Sequence, residues 1–215
     1  MLKEELRRLV AAGSLDQIET LTGQQRRVLS FLTALTFDPD PLVCWRAVEA
    51  IGRAAARLAD TDPEYVRVHL RRMQWLLNDE SGGIGWRLPE AMGEIIRCRP
   101  HIFAEFVPIV MALFDMEEED VAKFRPGILW AVGRLAQVFP AEVLEPALEW
   151  ITPCLGSTDA ATRGMAAWCL GQMQRADLLA GHPALLTDPH PLDFYHHGQI
   201  NQKTVAQLAQ EAMEQ

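Results

Sequence analysis

Apolar residues recur three and four positions apart through most of the chain, in Leu42–Leu58, Val66–Leu77, Ile84–Ile96, Ile102–Phe114, Val121–Val138, Val143–Leu155 and Met165–Met173. That spacing puts the apolar side chains on one face of a helix. No run shows the strict alternation of a half-buried strand. Breakers separate the segments: Asp-Pro-Asp-Pro at 38–41, Thr-Asp-Pro at 61–63, Ser-Gly-Gly at 81–83 and Gly-Ser-Thr-Asp at 156–159. The pattern predicts an all-α chain of helices joined by short connections. A last amphipathic helix over Thr204–Met213, with Val205, Leu208, Ala209, Ala212 and Met213 on its apolar side, is expected to cap the end of the array.

The helices repeat. Four segments superimpose on a single glycine: Trp-Arg-Ala-Val-Glu-Ala-Ile-Gly ending at Gly52, Trp-Arg-Leu-Pro-Glu-Ala-Met-Gly at Gly93, Pro-Gly-Ile-Leu-Trp-Ala-Val-Gly at Gly133 and Gly-Met-Ala-Ala-Trp-Cys-Leu-Gly at Gly171. The glycines are 41, 40 and 38 residues apart, and one further helix lies between each successive pair. Each unit is therefore a helix pair of HEAT or armadillo size.

The segments resemble bacterial HEAT-like repeats, in which an acidic turn is followed by Val-Arg, small residues and Glu-Ala-Leu-Gly. Asp159 and Arg163 match that turn, as does Arg125, while Glu49-Ala50-Ile51-Gly52 and Glu90-Ala91-Met92-Gly93 match the ending. Cys44 and Gly85 stand where an arginine is expected, and Pro89 and Pro126 fall inside two of the repeat helices. The resemblance covers roughly residues 24–175. It implies a right-handed α-α superhelix of four to five helix pairs, read as one domain over 1–215. Its repeats would fall at about 24–58, 62–98, 101–138 and 141–175, with 176–215 as extension and cap. Such scaffolds mostly bind other proteins, so the fold alone implies no reaction.

The second helices, which carry the glycine motif, are expected to line the concave side. Seven and three residues before each glycine stand Trp45 and Glu49, Trp86 and Glu90, Pro126 and Trp130, and Gly164 and Trp168. Arg46, Arg87, Arg125 and Arg163 accompany the indoles. Two readings fit this stripe. In one the tryptophans are core and the arginines form ladders with acidic groups of adjacent units. In the other the strip is a partner-binding surface, since Trp and Arg are enriched at binding hot spots, and the guanidinium groups would take an acidic peptide or a partner helix.

Charge and composition narrow the classes. Twenty Lys and Arg against 29 Asp and Glu leave a formal charge of −9, which argues against nucleic acid as the partner. No apolar run is long enough for a membrane span, and the charged N-terminus Met-Leu-Lys-Glu-Glu-Leu-Arg-Arg opens into no signal-peptide core. Four isolated cysteines read as reduced, and a cytoplasmic location is expected.

No nucleophile, base and orienter are assembled at a recognisable spacing, and no cofactor motif is present, so the expected function is a non-enzymatic scaffold. The alternatives are a HEAT-like DNA glycosylase or other nucleic-acid-acting enzyme, for which Trp130, Trp168, Arg125, Arg163 and Glu90 would suit, and a tetrapyrrole-lyase-type accessory protein. Ser81-Gly82-Gly83-Ile84-Gly85 is a weak anion-loop candidate, and Glu117–Asp120 reads as a solvated first helical turn. His190, His196 and His197 are weak metal candidates in a segment read as a turn-rich connector.

Overall fold

A computed structural model describes residues 2–77, 87–116 and 118–214, with backbone alone for 118–121. The Ser81–Gly85 loop and Trp86 lie outside the described residues, as do the side chains of the Glu117–Asp120 run. The chain divides into two compact units, Met1–Ile109 and Val110–Gln215.

The first unit contains α1 (Leu2–Ala11), α2 (Leu15–Gln24), α3 (Val28–Leu35), α4 (Pro41–Ala59), α5 (Pro63–Leu77), α6 (Leu88–Cys98) and α7 (Pro100–Phe103), and runs into α8 (Val107–Ala112). The second contains α9 (Glu118–Ala136), α10 (Ala141–Leu144), α11 (Leu148–Cys154), α12 (Ala160–Gln172), a β-hairpin of β1 (Pro191–His196) and β2 (Gln199–Thr204), and α13 (Val205–Met213). Within the first unit α3 packs on α4 and α5 on α6, and within the second α11 packs on α12.

Proline decides where the first helices break. The apolar runs Ile102–Phe114 and Val143–Leu155 predict single helices, but each is interrupted by a 3-10 turn, at Ala104–Phe106 and at Glu145–Ala147. Pro108 and Pro146, 38 residues apart, lack the N–H that a continuous helix would need there. Pro89, in contrast, lies in the first turn of α6 rather than inside the helix, where that N–H has no partner to lose.

The helix starts explain the motif and one of its departures. Asp159 caps α12 by accepting from the Thr162 amide at 2.8 Å, and Arg163 donates to the Ser157 and Thr158 carbonyls at 2.8 and 3.0 Å. Asp40 caps α4 in the same way. There the Cys44 thiol donates to the Asp38 carbonyl six residues back, the carbonyl equivalent to Ser157, at 2.9 Å. Arg7 of α1 supplies the missing guanidinium, bridging both Asp38 carboxylate oxygens at 2.7 and 3.0 Å.

Three of the motif glycines, Gly52, Gly133 and Gly171, admit a neighbouring helix. A Cβ on Gly52 would stand 3.0 Å from the Glu94 carbonyl oxygen of α6 and 3.1 Å from Cys98 Sγ. One on Gly133 would overlap the Trp168 ring of α12 at 2.3 Å. One on Gly171 would press on Ala212 of α13 at 2.7 Å. The cap α13 thus stands on α12 where a further second helix would stand. A reciprocal capping box between Thr204 and Gln207 starts it.

The chain is mostly helical, with one correction to the all-α reading. The segment read as a connector forms an antiparallel hairpin, pairing Pro191 with Thr204 through His196 with Gln199. Leu192 and Phe194 point inward, and His197 and Gly198 both have positive φ (48° and 74°), as a two-residue type I′ turn requires. Among the described residues no helix is long and apolar enough to cross a membrane.

Candidate functional site

The site is built from the faces of the second helices that stay in reach of solvent. On α4 that face is a single stripe, Leu42, Arg46, Glu49, Arg53 and Arg57, spaced by three and four; every other α4 residue past Pro41 is buried. Its arginines are tied to neighbouring elements. Arg46 donates to the Ala11 carbonyl, and Arg53 pairs with Asp16 of α2 at 2.7 Å and Glu19 at 3.6 Å. Arg57 lies against Gly23.

The next rung runs from α4 to α6. Arg87, at the start of α6, lies over the Trp45 ring, its guanidinium carbon 4.1 Å from the centroid, and donates through Nη1 to Glu90 at 2.8 Å. Arg87 holds a left-handed backbone (φ 61°), which costs a non-glycine residue about 1–2 kcal/mol. The stack and the ion pair to a carboxylate that is 3% exposed are what hold it there. One turn on, Arg97 bridges Glu94, itself buried, through Nε and Nη2 at 3.0 and 2.8 Å, with Glu49 of α4 acting on the same guanidinium. Two buried carboxylates four residues apart are thereby each neutralised by an arginine from their own helix.

The second unit repeats this design with other residues. Arg134 lies over Trp130, 5.3 Å from the ring centroid, and donates to Gln137 at 3.1 Å. Gln137 in turn donates to Gln172 of α12 at 2.8 Å. The rest of the α12 face is covered: Leu192 fills the space at Gly164, and Phe194 meets Trp168 edge-on at 5.6 Å. The hairpin therefore lies on the stretch of helix that carries the fourth stripe.

Set against the expected strip, Trp45, Trp130 and Trp168 are 7%, 3% and 6% exposed, so these indoles are packing residues. Trp168 is buried because Gly133 lets α9 and α12 close until only the ring fits between them. Arg163 is committed as well, with Nε and Nη2 both on Asp188 at 2.9 and 2.7 Å. Arg46, Arg87 and Arg125 remain half-exposed. Trp86 lies outside the described residues. The sequence reading missed Arg134, although its place four residues after Trp130 on a helix is a legible signal. It also missed Trp75, at 68% the most exposed indole described, which lies on the first helix α5 and not on the stripe.

The histidine candidates do not come together as a ligand set. His190 is held at the base of β1, its Nδ1 2.6 Å from Asp188, whereas His196 ends the strand, roughly 20 Å away at strand rise. Among the described residues no cluster of three or more His, Cys, Asp or Glu side chains is placed to hold a metal ion.

Residues 122–173 match the HEAT-like repeat family. An uncharacterized protein of Archaeoglobus fulgidus is 29% identical over 109 residues, 51% of this chain and 54% of the relative, so the match spans about half of that protein's length. The relative is archaeal, which leaves the bacterial part of the resemblance without support. Among solved structures, an engineered protein aligns with 99% of this chain and 88% of its own at a TM-score of 0.54 and 18% identity. A designed armadillo repeat protein in complex with the peptide (KR)4 aligns with 99% and 90% at 0.51 and 20%. Residues 122–173 are thus similar to a HEAT-like repeat, and the chain as a whole has the fold of the helical-repeat scaffolds.

Proposed function

We propose that this protein is a non-enzymatic scaffold that binds an acidic peptide, or an acidic segment of a partner protein, along the faces of its second helices. The observation that carries this reading is the guanidinium stacked on an indole, built once in each unit: Arg87 on Trp45 and Arg134 on Trp130. Stacking fixes the plane of the guanidinium before a partner arrives, so little side-chain entropy remains to be lost on binding. The indole supplies apolar backing from below, and the guanidinium edge meets carboxylates at the surface. This revises the strip of exposed tryptophans: the arginines are the contact and the indoles their support.

The designed armadillo neighbour is in complex with an arginine- and lysine-rich peptide. Arginine and glutamine stand on the faces described above, so the opposite charge preference is expected here, on a chain whose overall charge is −9. Gln137 and Gln172 add side-chain amides that both donate and accept, as a peptide main chain requires.

Calorimetric titration with an eight-residue Asp/Glu peptide and with (KR)4 tests the reading. Binding of the acidic peptide alone is expected, weakened about fivefold or more by Arg87→Ala or by Arg134→Ala. Binding of (KR)4 in preference to the acidic peptide, or no effect of either substitution, overturns it.

A further inference from the structure

The tip of the hairpin gathers cationic groups that the ladder does not explain. His196 and His197 have ring centroids 3.8 Å apart, and His196 also stacks on Phe194 at 5.7 Å. Lys203 of β2 lies over the other partner of that stack, 5.4 Å from the Phe194 centroid, and Arg134 of α9 acts on His196 electrostatically. One carboxylate faces this group, Glu211 of α13, and it is bound to Lys203 at 2.5 and 2.6 Å. Asp193, the other acidic residue of the strand, is an odd number of positions from His196 and projects from the opposite face. Three basic side chains, His197, Lys203 and Arg134, thus act on His196, with Glu211 the one carboxylate among the described groups that do so.

We infer that this tip is a proton-coupled anchor for clustered carboxylates: His196 charges when an acidic partner segment docks beside Arg134, so the partner binds more tightly as pH falls. The inference rests on the proposed acidic-peptide reading and specifies how that binding is regulated. Its chemistry follows from the surroundings of His196. Burial against Phe194, together with His197, Lys203 and Arg134, holds the imidazole below the ordinary histidine range, while Glu211 acts the other way. In the free protein at neutral pH the ring is therefore neutral. A carboxylate placed between the His196 ring and Arg134 reverses the local field and draws a proton onto that imidazole. By linkage, a group that gains a proton on binding makes affinity rise with proton concentration until the free protein is itself protonated. Arg134 joins the two parts of the surface, since it stacks on Trp130 and also faces the tip.

The test is titration of the whole chain with the Asp/Glu peptide at pH 7.5 and 5.5, where the peptide carboxylates remain ionised. Wild type is expected to bind about tenfold more tightly at pH 5.5, with proton uptake visible as a dependence of the heat on buffer ionisation enthalpy. His196→Gln combined with His197→Gln is expected to abolish the pH dependence. In the wild-type complex the His196 titration should move upward by nuclear magnetic resonance. Peptide binding that depends on Arg134 but is flat with pH, or a pH dependence that survives in the double variant, refutes the anchor and leaves the acidic-peptide reading standing. No binding of the peptide at either pH overturns both.

Discussion

At the scale of single residues, the motif glycines are spacing devices, and their neighbours set the sign of a substitution. Gly133 faces the Trp168 ring at a distance no Cβ tolerates, and an indole wedged between two helices has little room to retreat. Gly133→Leu is therefore expected to destabilise the protein by roughly 1–3 kcal/mol through overpacking, read as a lowered thermal midpoint. Gly23, near the end of α2, is the contrast: an added Cβ would make ordinary contact at 3.4 Å with the flexible Arg57 side chain. Gly23→Ala should raise stability by roughly 0.5–1 kcal/mol, because glycine loses more backbone freedom in a helix than alanine does. The four glycines were legible from repetition alone. That the indoles beside them are buried was not, because spacing assigns a residue to a helix face without saying what covers that face.

At the scale of elements, α5 carries a pH-sensitive contact to α3. His69 is buried and its Nε2 lies 2.8 Å from the Thr33 hydroxyl, which donates onward to the Leu29 carbonyl. With that hydroxyl proton committed, Nε2–H is the donor and the ring is neutral. Burial, with a smaller contribution from Arg72, pushes the His69 pKa down to about 4. The unfolded chain binds this proton near pH 6.5 and the folded one only near 4, so the stabilisation is complete above about 6.5 and drains away as pH falls toward 4. Urea unfolding at pH 7.5 and 4.5 should show a loss of up to about 3 kcal/mol, and His69→Gln should flatten that slope. The hairpin is the element that the sequence reading got wrong. Leu192 and Phe194 do alternate with polar positions, but Tyr195, also buried, blurs the pattern, and the His197-Gly198 turn carries no Asn-Gly or Asp-Gly signal.

At the scale of the whole molecule, the repeated helix pairs were readable because Gly52, Gly93, Gly133 and Gly171 recur at a nearly constant interval. The proposed binding elements were only half readable. Arg87 contacts Trp45, an indole 42 residues earlier, and such a pairing exists only after α4 and α6 have packed. The C-terminal cap shows how an array is closed: Ala212 of α13 meets Gly171, while Leu192 and Phe194 cover the exposed face of α12. Truncation after residue 175 should therefore expose Trp168 and the Gly164 face. The expected outcome is loss of the cooperative thermal transition of the second unit, with aggregation visible by light scattering.

The packing around α12 also encloses Cys169, a thiol with no solvent exposure beside Cys154 and Met173, whose ionisation burial drives far above the usual range. A maleimide can reach that sulfur only when α12 parts from the elements packed against it. Its labelling rate is thus a stopwatch for opening around α12, readable by mass spectrometry without adding a probe to the chain.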